Sequence, residues 1–211
     1  MQICKYNYTK LFGTQTKGAF NIKSIDKAKI ELAMKMLIEA VGDDPTRPGL
    51  LETPGRVANM YEEIFEGMTH SNDEIAEMFS KCFEDAKAND WALVKDISIF
   101  SYCEHHFALM YNMKAHIAYK PLDKVIGLSK IARIADMVAK RLQLQERIGC
   151  DIAEILQKVL GTPDVMVVIE GEHSCMTARG VRAQGSETRT CITNGIFATD
   201  SDIRREVLLQ L

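Results

Sequence analysis

Phe107, Leu109, Tyr111, Met113, Ala115, Ile117 and Tyr119 alternate with a more polar set that includes Asn112, Lys114, His116 and Lys120. A period of two sustained over this length is that of a long strand with one face buried. Such a strand needs neighbours on both edges and a layer over its apolar face, so it constrains the rest of the chain. A second strand is predicted from Trp91 to Phe100, rich in β-branched and aromatic residues, with Ser101 to His106 as the link between the two. After Pro121-Leu122-Asp123-Lys124 a short apolar run leads to Ser129, the expected N-cap of a helix carrying Ile131, Ile134, Ala135, Val138 and Leu142. Another helix is predicted from about Gln145 to Leu160, with Ile148, Ile152, Ile155, Leu156 and Val159 as its apolar face and Gly161 and Pro163 ending it. Two more strands, Val165 to Ile169 and Thr188 to Phe197, flank a Gly-containing loop, and a short helix capped near Asp200 or Ser201 follows. Strand, strand, helix, helix, strand, strand reads as an α+β unit: an antiparallel sheet with a helix pair on one face. Its two open edges call for cover or for a neighbouring subunit.

Upstream of this unit the pattern is helical. Ser24 is the expected cap of a helix with Ile30, Ala33, Leu37 and Val41 on its apolar face, stopped at Gly42-Asp43-Asp44-Pro45. A second helix opens at Thr53-Pro54, with Thr53 as N-cap and a stripe of Val57, Met60, Tyr61, Ile64, Phe65 and Met68. A third starts at Asn72-Asp73 and runs through Met78-Phe79. These elements carry periodicity without a chemical signature, so packing is their expected role. The division expected is residues 1–88 as an N-terminal extension and helical region, and residues 89–211 as the α+β domain.

Net charge limits the classes of partner. The 211 residues carry a formal charge of -3, with 46% hydrophobic and 26% charged residues. Nothing global favours nucleic acid or an anionic membrane, so any anionic ligand must meet a local basic cluster. No apolar run reaches the ~20 residues of a membrane span, and MQICKYNYTKLFGTQTKG lacks the apolar core of a signal peptide. A cytoplasmic protein is expected. Its cysteines then read as reduced thiols or metal ligands. Cys82, Cys150 and Cys191 have no His or Cys at ligand spacing and read as small buried hydrophobes, and Cys4 is expected in a mobile end.

The exceptions are Cys103 and Cys175. Cys103-Glu104-His105-His106 sits in the link between two strands, and C-x-x-H brings thiolate and imidazole together if the chain turns tightly there. In an extended chain Cys103 and His106 would face opposite ways, so a turn is part of the prediction. Far downstream, His173-Ser174-Cys175 follows another strand and offers one more thiolate. Three ligands leave a fourth position for water, the pattern of a catalytic zinc rather than a structural one, and such a site brings the pKa of bound water to about 7. His105 and His173, beside these ligands, are candidates for acid and base work. His70 reads as solvated in a polar loop, and His116 as a surface or interface residue on the polar face of the long strand.

A second signal is basic and local. Ser129-Lys130-x-x-Arg133 opens a helix, where free N–H groups favour phosphate. Arg179-Gly180-x-Arg182, followed by Gln184-Gly185-Ser186, adds cations just after Cys175. Each cation alone reads as a solvated charge, but together they suggest an anionic, phosphorylated substrate. Gln145-Glu146 opens the next helix, where a carboxylate either serves the helix dipole or recognises an N–H-bearing ring.

The strings CEHH, IGLSKIARI, RLQLQERI, EHSCMTARGVRAQGS and ETPGRVANMYEEIFEGM together resemble GTP cyclohydrolase I, over most of the chain from about Asp44 to Phe197. The resemblance implies a tunnelling fold, ββααββ units joined into rings and stacked as a homodecamer with sites at subunit interfaces. It implies hydrolysis of GTP to 7,8-dihydroneopterin triphosphate and formate, the entry step to folate or other pterins. By motif position Cys103, His106 and Cys175 would hold zinc, and His105, His173 and Ser129 would move protons. Glu146, with Gln145 beside it, would read the guanine edge. Lys130, Arg133 and Arg179, with Ser129, would hold the triphosphate and ribose, and Arg56 would reach a neighbouring subunit's pocket. One departure stands out: members often carry Lys where this chain has Asn59. Either a weaker grip on phosphate or a compensating cation is expected. Two other readings compete, namely a nitrile-reducing enzyme of the same fold, and a zinc-stabilised assembly module without catalysis.

Overall fold

The reversal between two paired strands decides where the candidate site falls. The computed structural model describes residues 24–84 and 90–211; Cys4 and the extension up to Lys23 lie outside them. In chain order it contains α1 (Lys27–Ala40), α2 (Thr53–Ile64), a 3-10 turn (Glu66–Thr69), α3 (Asn72–Met78), β1 (Cys82–Glu84) and β2 (Ala92–Cys103). Then come β3 (Ala108–Tyr119), β4 (Lys124–Ile126), α4 (Leu128–Ala139), β5 (Leu142–Gln143), α5 (Gln145–Leu160) and β6 (Val165–His173). The single turn α6 (Ser174–Thr177), β7 (Glu187–Thr193), α7 (Ile196–Thr199) and α8 (Ser201–Leu208) complete it.

The main sheet has the order β5-β2-β3-β6-β7, with β2–β3, β3–β6 and β6–β7 antiparallel. This is the predicted α+β unit, with one addition. The two-residue β5 runs parallel to the end of β2, pairing Leu142 with Tyr102 and Gln143 with Cys103. One face is covered by α4 and α5, whose Ile131, Ile134, Val138, Ile148, Ile152 and Leu156 are fully buried against Ala115, Ile117, Val165, Val167 and Ile169. Each such side chain contributes roughly 1.5–3 kcal/mol relative to exposure. Ile75, Ala76 and Phe79 join the same core, and β1 pairs with β4. On the other face Ala118, Met166 and Val168 pack against Phe197 and Val207, so this end of the sheet is covered on both sides.

The alternation in β3 holds only in part. Met113, Ala115, Ile117 and Tyr119 are buried as expected, whereas Leu109 is exposed and Met110 is buried. A register irregularity between Tyr111 and Lys114, with Asn112 at φ 51°, shifts the phase of the strand there. His116 is a second correction: it is 3% exposed, not a surface residue. Bulged β2 closes over it, and the Asp96 N–H donates to its Nδ1 at 3.2 Å, with Asp96 itself at φ 59°.

Several ends differ from expectation because other groups cap better. Asp26, not Ser24, caps α1 by accepting from the Lys29 N–H. Thr53 lies inside α2 behind Glu52, and Ser129 lies inside α4 behind Gly127. Leu142 belongs to β5, and Phe197 is the buried residue of α7 rather than the end of β7. The face expected to pack α1 is open: Ala33, Leu37 and Val41 are exposed, as are Leu32 and Met36, and Ile38 is buried instead.

Candidate metal centre and its surroundings

β2 ends at Cys103 and β3 starts at Ala108, so the chain reverses over Glu104, His105, His106 and Phe107. The Phe107 N–H donates to the Cys103 carbonyl at 2.9 Å, and Phe107 sits at φ 54°. This tight reversal brings the side chains of Cys103 and His106 to one side. β6, beside β3, carries the chain through His173 into α6, which presents Cys175. The ligand atoms of Cys103, His106 and Cys175 all lie within 4.8 Å of one another. Tetrahedral zinc with bonds near 2.0–2.3 Å needs ligand separations of roughly 3.3–3.8 Å, so a small contraction fits the ion. Two thiols and one imidazole are the donor set zinc prefers. Burial, and then the neighbouring Cys103, push the Cys175 thiol up, a strain that a cation would relieve. Among the described residues no fourth His, Cys, Asp or Glu joins the cluster.

Three groups brace the reversal. Arg147 of α5 pairs with Glu104 at 2.6 and 3.3 Å, and the Glu104 N–H donates to the Gln143 carbonyl at 3.1 Å. Phe107 packs in a ring cluster with Tyr61 and Phe65 of the α2 region and with Tyr102, at centroid distances of 5.3–6.5 Å. Behind β5, Arg141 donates to Asn72 and Asp151 at 2.8 and 3.0 Å and to the carbonyls of Gly67 and His70, both at 2.9 Å. The sequence marks Tyr61, Phe65 and Phe107 only as packing residues and gives Arg147 and Arg141 no part in the site. Only the position of Glu104 inside C-x-x-H hinted at a partner; the rest depends on contacts distant in sequence.

The other sequence-predicted residues fall into two groups. Near the cluster, His105 Nδ1 is 4.0 Å from the Cys103 Sγ. Arg179 donates from Nη2 to His106 Nε2 at 2.8 Å and from Nε to the Cys175 carbonyl at 3.2 Å. His173 is half-buried; burial pushes its pKa down, and the nearby Glu146 charge opposes this. Gln145 is 2% exposed and touches His173, while Glu146 beside it is exposed. Away from the cluster lie Ser129, Lys130 and Arg133, in the first turns of α4. The far end of α4 leads into β5 at Cys103, about 15 Å of helix beyond Ser129 and about 9 Å beyond Arg133. Lys130 stands over the Phe79 ring at 5.7 Å. Arg56, on α2, pairs with Glu52, the N-cap residue of the same helix. The chain thus gathers the candidate metal ligands, His105, His173, Gln145, Glu146 and Arg179, and leaves Ser129, Lys130 and Arg56 apart from them. At Asn59 the structure supplies a cation: Lys27 Nζ donates to Asn59 Oδ1 at 3.1 Å and to Glu62 at 3.0 Å.

A family model described as GTP cyclohydrolase I matches residues 30–211. Among similar curated proteins, a GTP cyclohydrolase 1 of Clostridium botulinum (strain Kyoto / Type A2) is 58% identical over 191 residues, covering 88% of this chain and 97% of that protein. Proteins of the same name from Ruminiclostridium cellulolyticum and Clostridium beijerinckii are 58% and 57% identical, covering 88% and 89% of this chain and 98% of each.

Proposed function

The chain belongs to the GTP cyclohydrolase I family, and on that premise we propose that it hydrolyses GTP to 7,8-dihydroneopterin triphosphate and formate, using zinc held by Cys103, His106 and Cys175. The observation that carries this reading is the three-donor cluster with no fourth protein ligand among the described residues. When bound there, zinc supplies a Lewis acid that activates water at neutral pH.

The rest of the chemistry falls to side chains. His105, next to a ligand and exposed at the turn, protonates a ring nitrogen of guanine as C8 is attacked. His173 moves protons during ring opening and the later rearrangement of the ribose. Glu146 accepts the N1–H and N2–H₂ protons of guanine, a pair that adenine does not present. Arg179, reaching from the metal ligands, holds the ribose and phosphate end. Ser129, Lys130 and Arg133 come from a neighbouring subunit to the triphosphate, and Arg56 likewise reaches in from a neighbouring subunit's α2. Their distance from the cluster within one chain supports this. Lys27 takes the part of the cation missing at Asn59, so Lys27→Ala should raise the KM for GTP, and an unchanged KM would remove it from the site.

A composite site requires a homo-oligomer, and we propose a homodecamer. Two features support assembly. Among the described residues the β2 edge is paired only at Tyr102 and Cys103, and the α1 face is apolar and exposed. No helix among the described residues is long and apolar enough to cross a membrane, and a cytoplasmic setting suits the reduced thiols the ligand set needs. The direct test is to incubate zinc-replete protein with GTP and measure formate and the fluorescent oxidised pterin. Folded, metal-loaded protein that gives neither product would overturn the proposal. Glu146→Ala should abolish turnover with zinc still bound; loss of zinc in that variant would assign Glu146 elsewhere.

A further inference from the structure

Hydrogen bonding around Gln145 fixes more than its own position. Gln145 opens α5 and is 2% exposed, so water does not compete for its amide. One terminal atom of that amide lies 3.0 Å from the Ile169 carbonyl oxygen and 2.8 Å from the Thr188 carbonyl oxygen, with Thr190 Oγ1 at 3.5 Å. Carbonyl oxygens only accept, so this atom must be the NH₂, giving one hydrogen to each of β6 and β7. The other terminal atom is then the carbonyl oxygen, and it lies 2.8 Å from His173 Nε2. An amide oxygen also only accepts, so Nε2 must carry a hydrogen. Neutral imidazole has a single N–H, which leaves Nδ1 as the bare nitrogen.

We propose that Gln145 is a positioning residue that locks His173 as the Nε2–H tautomer, leaving Nδ1 as the ring's hydrogen-bond acceptor in the site. Through His173's catalytic role this rests on the function proposed above; the tautomer itself does not. The inference also reassigns Gln145. Both amide hydrogens are committed to strands and the oxygen to His173, so the side chain has no donor left for guanine. Reading the base falls to Glu146. The arrangement follows the logic by which a buried acceptor holds a catalytic imidazole in one tautomer and one orientation.

The test needs no variant for its first arm. Solid-state NMR of zinc-loaded, ¹⁵N-histidine-labelled protein, with the His173 signals identified by their loss in His173→Asn, should show a protonated Nε2 and a bare Nδ1. A protonated Nδ1 would overturn the proposal. In the second arm Gln145→Met keeps the length but removes the acceptor. Expected are a mixture of tautomers and a kcat lower by about a hundredfold, with the KM for GTP changed less than about twofold, because the side chain does not touch substrate. A raised KM with kcat intact would overturn the proposal by making Gln145 a substrate contact. Should Gln145→Met fail to fold, Gln145→Glu keeps an oxygen facing Nε2 and is expected to retain the Nε2–H tautomer; loss of that tautomer there would overturn the proposal. Wild-type protein that shows the Nε2–H signal yet does not turn over GTP would refute the function and leave the tautomer assignment standing.

Discussion

Gly67 lies where the 3-10 turn meets the end of α4, and a Cβ built on it would be 2.0 Å from the Met137 carbonyl oxygen and 2.8 Å from that of Lys140. Both obstacles are backbone, so Gly67→Ala should destabilise the fold by about 1–3 kcal/mol, visible as a lower thermal midpoint. At His116 the prediction concerns pH. Burial holds its pKa below 6.5, with Glu170 and Asp96 opposing and Lys114 and Arg189 reinforcing the shift. Its Nε2 is buried without a hydrogen-bond partner, 3.7 Å from Glu170, and Arg189 also pairs with Glu170. The unfolded chain therefore takes up the proton at higher pH than the folded one. The stability His116 contributes is complete above about 6.5 and is lost as pH falls towards its folded pKa. His116→Asn keeps an acceptor for the Asp96 N–H and should flatten the acid side of the midpoint–pH curve; an unchanged curve would exclude His116 as a source of that slope. Single residues were also where the sequence misled. Asn112 tolerates positive φ and so can sit at an irregularity in β3. That bend is invisible to a period-two pattern, which is why Met110 rather than Leu109 fills the core.

Element ends show what local signals can and cannot decide. Ser71 caps α3 with a full capping box, its hydroxyl accepting from the Glu74 N–H and the Glu74 carboxylate accepting from the Ser71 N–H. Ser71→Ala should cost about 1 kcal/mol, measured by denaturant midpoint, and leave zinc binding unchanged. At α4 the helix begins at Leu128 behind Gly127, so Ser129 is inside the first turn and keeps its hydroxyl free of capping. Helix and strand types were legible because apolar spacing is a local property. Their caps were less so, because several Ser, Thr and Asp residues compete at each end. The Arg141–Asp151–Asn72 cluster was not legible at all, since its members meet only after the helical region docks on the sheet. It is 12% and 17% exposed at Arg141 and Asp151, and removal of one partner strands the other. Asp151→Ala should therefore cost about 3–5 kcal/mol, and a loss below 1 kcal/mol on denaturant unfolding would show that solvent reaches Arg141 after all.

For the whole molecule, the candidate metal ligands are gathered within one chain while Lys130 stands at the other end of α4. Two inactive variants, Cys175→Ala and Lys130→Ala, should then restore one another when co-assembled, because some sites would draw an intact ligand set from one chain and an intact Lys130 from another. Mixed oligomers without activity would place all of these groups in one subunit's site. The candidate metal centre was readable as two short motifs, but their convergence depended on β6 lying beside β3. That pairing also has a kinetic meaning. His106 and Cys175 are separated by roughly 70 residues of chain, so an unfolded chain would lose on the order of 4 kcal/mol of loop entropy to hold both on one ion, and the ion binds the folded chain far better. The bridge cannot close until the whole helix pair has folded between the two halves of the sheet. Zinc capture should accordingly be a late step in refolding, lagging behind the burial of Trp91 fluorescence, and stripping the ion should first raise hydrogen exchange at the junction of β6 and α6.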